Sequence, residues 1–358
     1  MAGSKYWENF ERVRVPLPEK EVVELHRNTR VDNFDPYFEK QIQRIMPCHE
    51  FNRYPDITKL EDKIVEFLDA GFSVENVFIT SGIDGGIKST FEMFTQKKSP
   101  IAFLMPTYAM YNVYSRAFGV RPVLIQSDPG LLTIALKEIL RCLDEKLDVL
   151  FIQNPHAPIE NMFSENEMRQ IIEKAASVGT IVFVDEAYYM FGSVSCMGLI
   201  QEFDNLLVAR TFSKGFGLPA IRLGYLAGHS NLIRCLRTKS YAYETNSISM
   251  VVGMWALDNV SFFVDYCSAI CRQRAILKER MIESGIPCRG EVLNTICLNL
   301  GDGEKCERAG NHLKEKDFWV KYGMPTPFDQ YMVATVSGDE ELNKQFYDLL
   351  VSCTDKSK

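Results

Sequence analysis

An α/β fold around a mostly parallel sheet is predicted by three features of this 358-residue sequence. From residue 56 to about 230, short runs that are apolar at every position alternate with segments of helical period. Strands covered on both faces read as continuous apolar runs, and helical crossovers between them make the sheet parallel. Beyond about residue 240 the pattern changes to long helical stretches followed by a few strand-like pieces. The first 45 residues carry too few apolar positions for a core of their own. The expectation is a large α/β unit over 45–240 and a smaller α+β unit made from both chain ends, 1–44 plus 241–358. The N-terminal segment should pack on the C-terminal part or across a subunit boundary.

The elements follow in order. Asp56–Phe72 reads as a helix with Ile57, Leu60, Ile64, Phe67 and Leu68 on one face and Gly71 as its stop. Asn76–Thr80 is a short strand, a helix follows Gly86, and Ile101–Met105 is the next strand. Tyr108–Gly119 is a helix, then Arg121–Ile125 and Leu147–Gln153 are strands. Ser164–Gly179 is a helix opened by the capping box Ser164/Glu167 and closed by Gly179. Thr180–Ala187, Asn205–Thr211 and Arg222–Gly228 are further apolar runs with polar or glycine ends. Ser249–Gly285 is helical throughout, Asn294–Leu300 and Tyr331–Val336 are strand-like, and Glu340–Cys353 is the last helix.

Composition excludes several classes. Forty basic against 47 acidic residues give a net charge of −7, which argues against a dedicated nucleic-acid binder. No run approaches the length of a membrane-spanning helix. The first 25 residues interleave charges and prolines, unlike a signal peptide, so a cytoplasmic location is expected. The ten cysteines are scattered and form no C-x-x-C pair. Cys267 and Cys271 can share a helix face and read as small buried hydrophobes. His49-Glu50 is not followed by the second histidine of a zinc helix, and no metal site is expected.

The chemistry is concentrated at strand ends. Arg210-Thr-Phe-Ser-Lys214 leaves a strand with Ser213 and Lys214 in the turn, and Arg222 follows. Asn154, in Gln153-Asn-Pro-His-Ala-Pro158, and Asp185, in Asp185-Glu-Ala-Tyr188, each end an apolar run. In a parallel sheet such carboxyl ends converge on one crevice, where open α/β sheets bind ligands. Taken singly, each residue has an ordinary explanation as an N-cap, turn former or packing aromatic. The joint order Tyr, Gly turn, Tyr, Asn, Asp/Tyr, Ser-Lys, Arg does not.

These stretches resemble the fold-type I pyridoxal-phosphate enzymes, specifically class I/II aminotransferases of the histidinol-phosphate aminotransferase type with the aspartate aminotransferase-like fold. The resemblance implies that Lys214 bonds pyridoxal 5'-phosphate and later moves the substrate's α-proton. It implies that Asp185 keeps the pyridine nitrogen protonated, and that Asn154 and Tyr188 hydrogen-bond the ring hydroxyl oxygen. Ser213 and Arg222, with backbone amides around Ile83 and Asp84, match the phosphate ligands. Tyr108 is similar to the aromatic that stacks on the ring. Tyr54, in Asn52-Arg-Tyr-Pro-Asp56, matches a tyrosine that serves the neighbouring subunit's cofactor, which implies a homodimer.

Three departures bear on the substrate. Asn154 is followed by Pro-His-Ala-Pro, so His156 stands where the family has another residue, a change seen in carbon–sulfur β-lyase relatives. The glycine turn ends Asp84-Gly85-Gly86 rather than Asp-Glu. The arginine that forks onto the substrate α-carboxylate is missing. Anchoring on Gly338 puts Ala334 there, anchoring on Glu340-Glu341 puts Val333 there, and no arginine follows Arg308. Losing such a clamp costs about 2–5 kcal/mol for a carboxylate. Arg27 and Arg30 are candidate substitutes. The leading reading is transamination between a small amine donor and a keto acceptor, with a phosphorylated partner as one option. Decarboxylation of an amino acid or its phosphate ester, a C–S β-lyase, and a non-catalytic protein of the same fold follow in that order.

Overall fold

The computed structural model describes residue 18 and residues 20–46, 52–68, 71–240 and 244–354; Cys48 and His49-Glu50 lie outside them. The strands are β1 (Val23–Glu24), β2 (Val77–Thr80), β3 (Pro100–Met105), β4 (Arg121–Gln126), β5 (Val149–Gln153), β6 (Ile181–Asp185), β7 (Leu206–Thr211), β8 (Gly224–Gly228), β9 (Cys288–Arg289), β10 (Thr295–Asn299), β11 (Phe318–Trp319) and β12 (Tyr331–Thr335). The helices are α1 (Pro36–Ile45), α2 (Thr58–Leu68), α3 (Gly82–Phe94), α4 (Ala109–Phe118), α5 (Leu136–Cys142), α6 (Glu165–Val178), α7 (Ser230–Lys239), α8 (Ser247–Asp258), α9 (Val260–Glu283), α10 (Gly303–Glu315) and α11 (Glu340–Thr354).

Seven strands form the expected sheet in the order β2-β8-β7-β6-β5-β3-β4. Only β8 runs against its neighbours, β2 and β7. The carboxyl ends of β7, β6 and β5 therefore lie side by side, with Gln153 opposite Asp185 and Asp185 opposite Ala209. Ser164 and Glu167 close their capping box on α6, worth about 1 kcal/mol.

Two departures from the expected elements have clear causes. Helix α3 begins at Gly82, before the glycine turn rather than after it. Gly86 is there for contact, not for turning: a Cβ would stand 2.7 Å from Leu226 Cδ2 on β8. The long helical stretch near the C-terminal side breaks at Asn259, whose φ of −118° and ψ of 35° leave the helical region. Its side chain donates to the Trp255 carbonyl, and α8 and α9 meet at 77°. Among the described residues, no single helix is long and apolar enough to cross a membrane.

The C-terminal part builds the antiparallel sheet β12-β10-β9 and the small parallel pair β1-β11. Leu25 reaches it through its carbonyl, which accepts from the Thr335 amide at 2.7 Å. Phe38 of α1 stacks on Phe34 at 3.9 Å and meets Trp255 of α8 edge-on at 5.5 Å. Both helices bury their apolar faces in the core beneath the large sheet, with Leu60, Phe216 and Leu223. The second core joins Leu298, Ala334 and Phe346 to Tyr188 and Phe191.

Candidate active site

A cavity of about 220 Å³ opens at the carboxyl ends of β5, β6 and β7, between the large sheet and the C-terminal part. Lys214, in the turn after β7, lines it. Its Nζ donates to the Asn28 carbonyl at 2.8 Å and lies 3.4 Å from that of Arg27. Burial pulls its pKa down to about 8; Asp185 opposes the shift, while Lys321 and Arg222 add to it. About a tenth of such an amine is unprotonated at pH 7, enough for a nucleophile.

Asp185 ends β6 and is buried. One carboxylate oxygen accepts from the Ala187 amide at 3.0 Å, the other from the Tyr111 hydroxyl at 3.0 Å. Burial raises its pKa to about 6, against those donors, the Gln153 side chain and the Lys214 charge. A buried carboxylate with so costly a charge is suited to a cationic partner. Tyr188 is buried beside it, and its hydroxyl accepts from Asn28 Nδ2 at 3.0 Å. Tyr108, half exposed at the start of α4, also lines the cavity.

At the other end, Ile83 and Asp84 bring the first turn of α3 to the cavity, beside Ser213 and Arg222. The Ser213 amide donates to Thr211 Oγ1 at 3.1 Å, and the two hydroxyls are 3.1 Å apart. Arg222 holds the left-handed backbone conformation, φ 51°, and lies so close over the start of α3 that a Cβ on Gly82 would be 2.9 Å from its Nη2. A helix N-terminus, a guanidinium and a hydroxyl together favour a phosphate. Thr107 Oγ1 and Gln153 Oε1 are buried on the cavity lining and lack a hydrogen-bond partner among the described residues. These features fit pyridoxal phosphate: an amine for its aldehyde, an acid for its ring nitrogen, a phenol, and a phosphate cup.

Five residues singled out in the sequence are not brought to the cavity. The Asn154 carboxamide is engaged on both sides by the backbone of Phe163, at 2.8 and 3.2 Å. Tyr54 is 78% exposed beside a separate recess with Asp56, Glu61 and Arg237. Arg27 pairs with Glu24 at 2.6 Å, so only its carbonyl approaches Lys214. The Arg30 guanidinium is sandwiched between Phe34 and Tyr266, at 4.2 and 4.1 Å. His156 is fully buried, bonded through Nε2 to the Pro106 carbonyl at 2.7 Å, and burial lowers its pKa to about 4. It serves as a neutral strut.

Sequence reading missed Lys321, Asn28, Tyr111 and Gln153. Tyr111 follows Tyr108 by one helical turn and Gln153 precedes Asn154 at a strand end, so both had a local signal. Lys321 and Asn28 had none. Lys321 lines the cavity, and the protein crowded around it lowers its pKa. Its amide and carbonyl bond those of Val333 at 2.9 and 2.8 Å across an antiparallel bridge. Residues directly opposite on antiparallel strands share a face. Lys321 thus stands on the same face as Val333, one of the two positions where the carboxylate-binding arginine is missing.

Comparison with known proteins agrees with this geometry. Residues 29–339 match the family described as "Aminotransferase class I and II". The histidinol-phosphate aminotransferase of Thermoanaerobacter pseudethanolicus is 30% identical over 270 residues, covering 74% of this chain and 75% of that protein. The enzyme of the same name from Brachyspira hyodysenteriae is 28% identical over 91% of this chain and 90% of its own length. Among solved structures, histidinol-phosphate aminotransferase from Sinorhizobium meliloti, in complex with pyridoxal-5'-phosphate, superposes with a TM-score of 0.86 at 16% identity, covering 95% and 93% of the two chains. An aspartate aminotransferase mutant from Thermus thermophilus gives 0.79 at 16% identity, covering 93% and 97%. With the family pattern spanning most of its length, the chain belongs to the class I and II aminotransferases, the pyridoxal-phosphate enzymes that its strand-end motifs resemble.

Proposed function

We propose that this aminotransferase works between a small amine donor and a keto acceptor, and that Lys321 binds an anionic group, carboxylate or phosphate, of one of them. The observation that carries the reading is the placement of Lys321 on the cavity wall, bridged to Val333. A lysine is a point charge rather than a fork, so it takes a carboxylate or a phosphate with little demand on orientation.

Bound pyridoxal phosphate supplies the electron sink that makes the bonds at the substrate Cα labile. The start of α3, Ser213 and Arg222 would hold its phosphate, Asp185 would stabilise a cationic ring nitrogen, and Tyr108 and Tyr188 would line the ring's site. Lys214 Nζ takes the proton from the substrate Cα, its depressed pKa keeping the amine available. Histidinol phosphate, the compound in the relatives' names, is one candidate donor.

Separate measurement of the two half-reactions tests this. Lys321→Ala should raise KM for the anionic partner about 30-fold, roughly 2 kcal/mol for a charged contact, with kcat little changed. Lys321→Arg should retain most of the affinity, and Arg27→Ala and Arg30→Ala should leave both half-reactions nearly unaltered. An unchanged KM in Lys321→Ala for every donor and acceptor, or carbon dioxide release in place of amino transfer, would overturn the reading.

The active unit is a homodimer in the cytoplasm. Support comes from Tyr54, an aromatic ring presented at the surface within the segment that serves the neighbouring site in the family it resembles. Sedimentation should give a dimer, and Tyr54→Phe should weaken cofactor retention about fivefold, the worth of one hydrogen bond. A stable monomer with full cofactor content would contradict this.

A further inference from the structure

We propose that Asn28 is a positioning residue, directing the Tyr188 hydroxyl into the cavity and setting the proton affinity of the bond that Lys214 forms with the cofactor. Asn28 sits where three parts of the chain meet. Its amide donates to Thr335 Oγ1 on β12 at 3.1 Å. Its carbonyl accepts from Lys214 Nζ at 2.8 Å and from Asn294 Nδ2 at 3.2 Å. Its own Nδ2 donates to the Tyr188 hydroxyl at 3.0 Å. The backbone is left-handed, φ 52°, a conformation that asparagine tolerates better than most residues. Main chain and side chain thus point to Lys214 and Tyr188, two groups of the cavity lining.

The direction of the Tyr188 bond matters. An amide N–H can only donate, so the phenol oxygen accepts and its one hydrogen remains for an acceptor in the cavity that Tyr188 lines. A bond received by the phenol oxygen also polarises the hydroxyl and strengthens what it donates. Donation from Tyr188 to a bound cofactor would withdraw electron density and make the Lys214 linkage easier to deprotonate. When Lys214 is not bonded to the cofactor, its amine rests on the Asn28 carbonyl.

The test is an absorbance titration of the holoenzyme, reading the pH midpoint of the cofactor band rather than activity. Asn28→Asp replaces the donor with an acceptor, so Tyr188 donates back into the protein and a negative charge joins the site. The midpoint should rise by about one unit, tenfold in proton affinity. Asn28→Gly keeps the left-handed backbone and the carbonyl but removes the amide, and should raise the midpoint by only about 0.3 unit. Both shifts should shrink by more than half in a Tyr188→Phe background. Equal shifts in the two variants, or shifts undiminished without the hydroxyl, would overturn the proposal. Should the aspartate variant not fold, the glycine variant in the two backgrounds carries the same decision. The inference rests on Lys214 bearing the cofactor: wild-type protein lacking that absorbance would overturn that reading and this one together, whereas a normal band with unmoved midpoints would overturn this one alone.

Discussion

Replacing Lys214 with alanine should lower amino transfer by at least about 10⁴-fold, the upper range for removing a general base, because the same amine also forms the bond to the cofactor. The loss should appear in both half-reactions. Cofactor binding should survive in weakened form, since the start of α3, Ser213 and Arg222 remain to hold a phosphate. Borohydride treatment of the wild-type holoenzyme followed by peptide mapping should locate the adduct on Lys214. An adduct on another lysine, or a Lys214→Ala variant within tenfold of wild type, would contradict the assignment. The depressed pKa adds a check on the apoprotein. Its rate of bonding an added aldehyde cofactor should rise with pH through a midpoint near 8, where half of the amine is deprotonated, and level off at higher pH.

Asp185→Asn should raise the stability of the cofactor-free protein while nearly abolishing its activity. The folded-state pKa of Asp185 is raised by burial from 3.8 to about 6. The folded protein therefore binds this proton more tightly than the unfolded chain does. The protonated side chain is tolerated below about pH 4, and stability is lost as pH rises through about 6. The shift of about two units corresponds to about 3 kcal/mol at neutral pH. Asparagine keeps the shape and a carbonyl for the Ala187 amide but carries no charge. The difference in Tm between apo variant and apo wild type should be small near pH 4, grow to about pH 6 and remain constant above it. With cofactor bound, the order should invert, because the wild-type carboxylate then faces a cationic ring nitrogen. A pH-independent difference would show that Asp185 carries no buried charge in the apoprotein.

That these two residues line one cavity was legible in the sequence, as it was for Tyr188, Ser213, Arg222, Tyr108, Ile83 and Asp84. Each follows an apolar run or opens a helix, and a parallel sheet gathers such ends on one side. Asn154 shares that placement, yet its carboxamide turns to the Phe163 backbone. The motif located the residue but not its side chain, because a short polar side chain takes whichever unpaired backbone groups are nearest. Arg27 and Arg30 illustrate the same limit: their segment does approach Lys214, with a carbonyl in place of a guanidinium. The helix break at Asn259 has a local signal in the polar pair Asp258-Asn259, but the helical period resumes at Val260, and both α8 and α9 bury residues close to the turn.

Sequence alone determined the α/β class, the sheet's alternation with helices, and the order of the strand-end residues, since all of these are set by local periodicity and by the chirality of strand connections. Only the tertiary structure decided that Lys321 stands beside Val333 and that Asn28 links Thr335, Lys214 and Tyr188. The partners of Asn28 lie as far as 307 positions away along the chain. No short-range pattern encodes such a meeting. It depends on the register of one strand against another, and that register is fixed by the apolar faces both strands bury, Val333 among Leu132, Ile159 and Cys297, rather than by the polar residues it brings together.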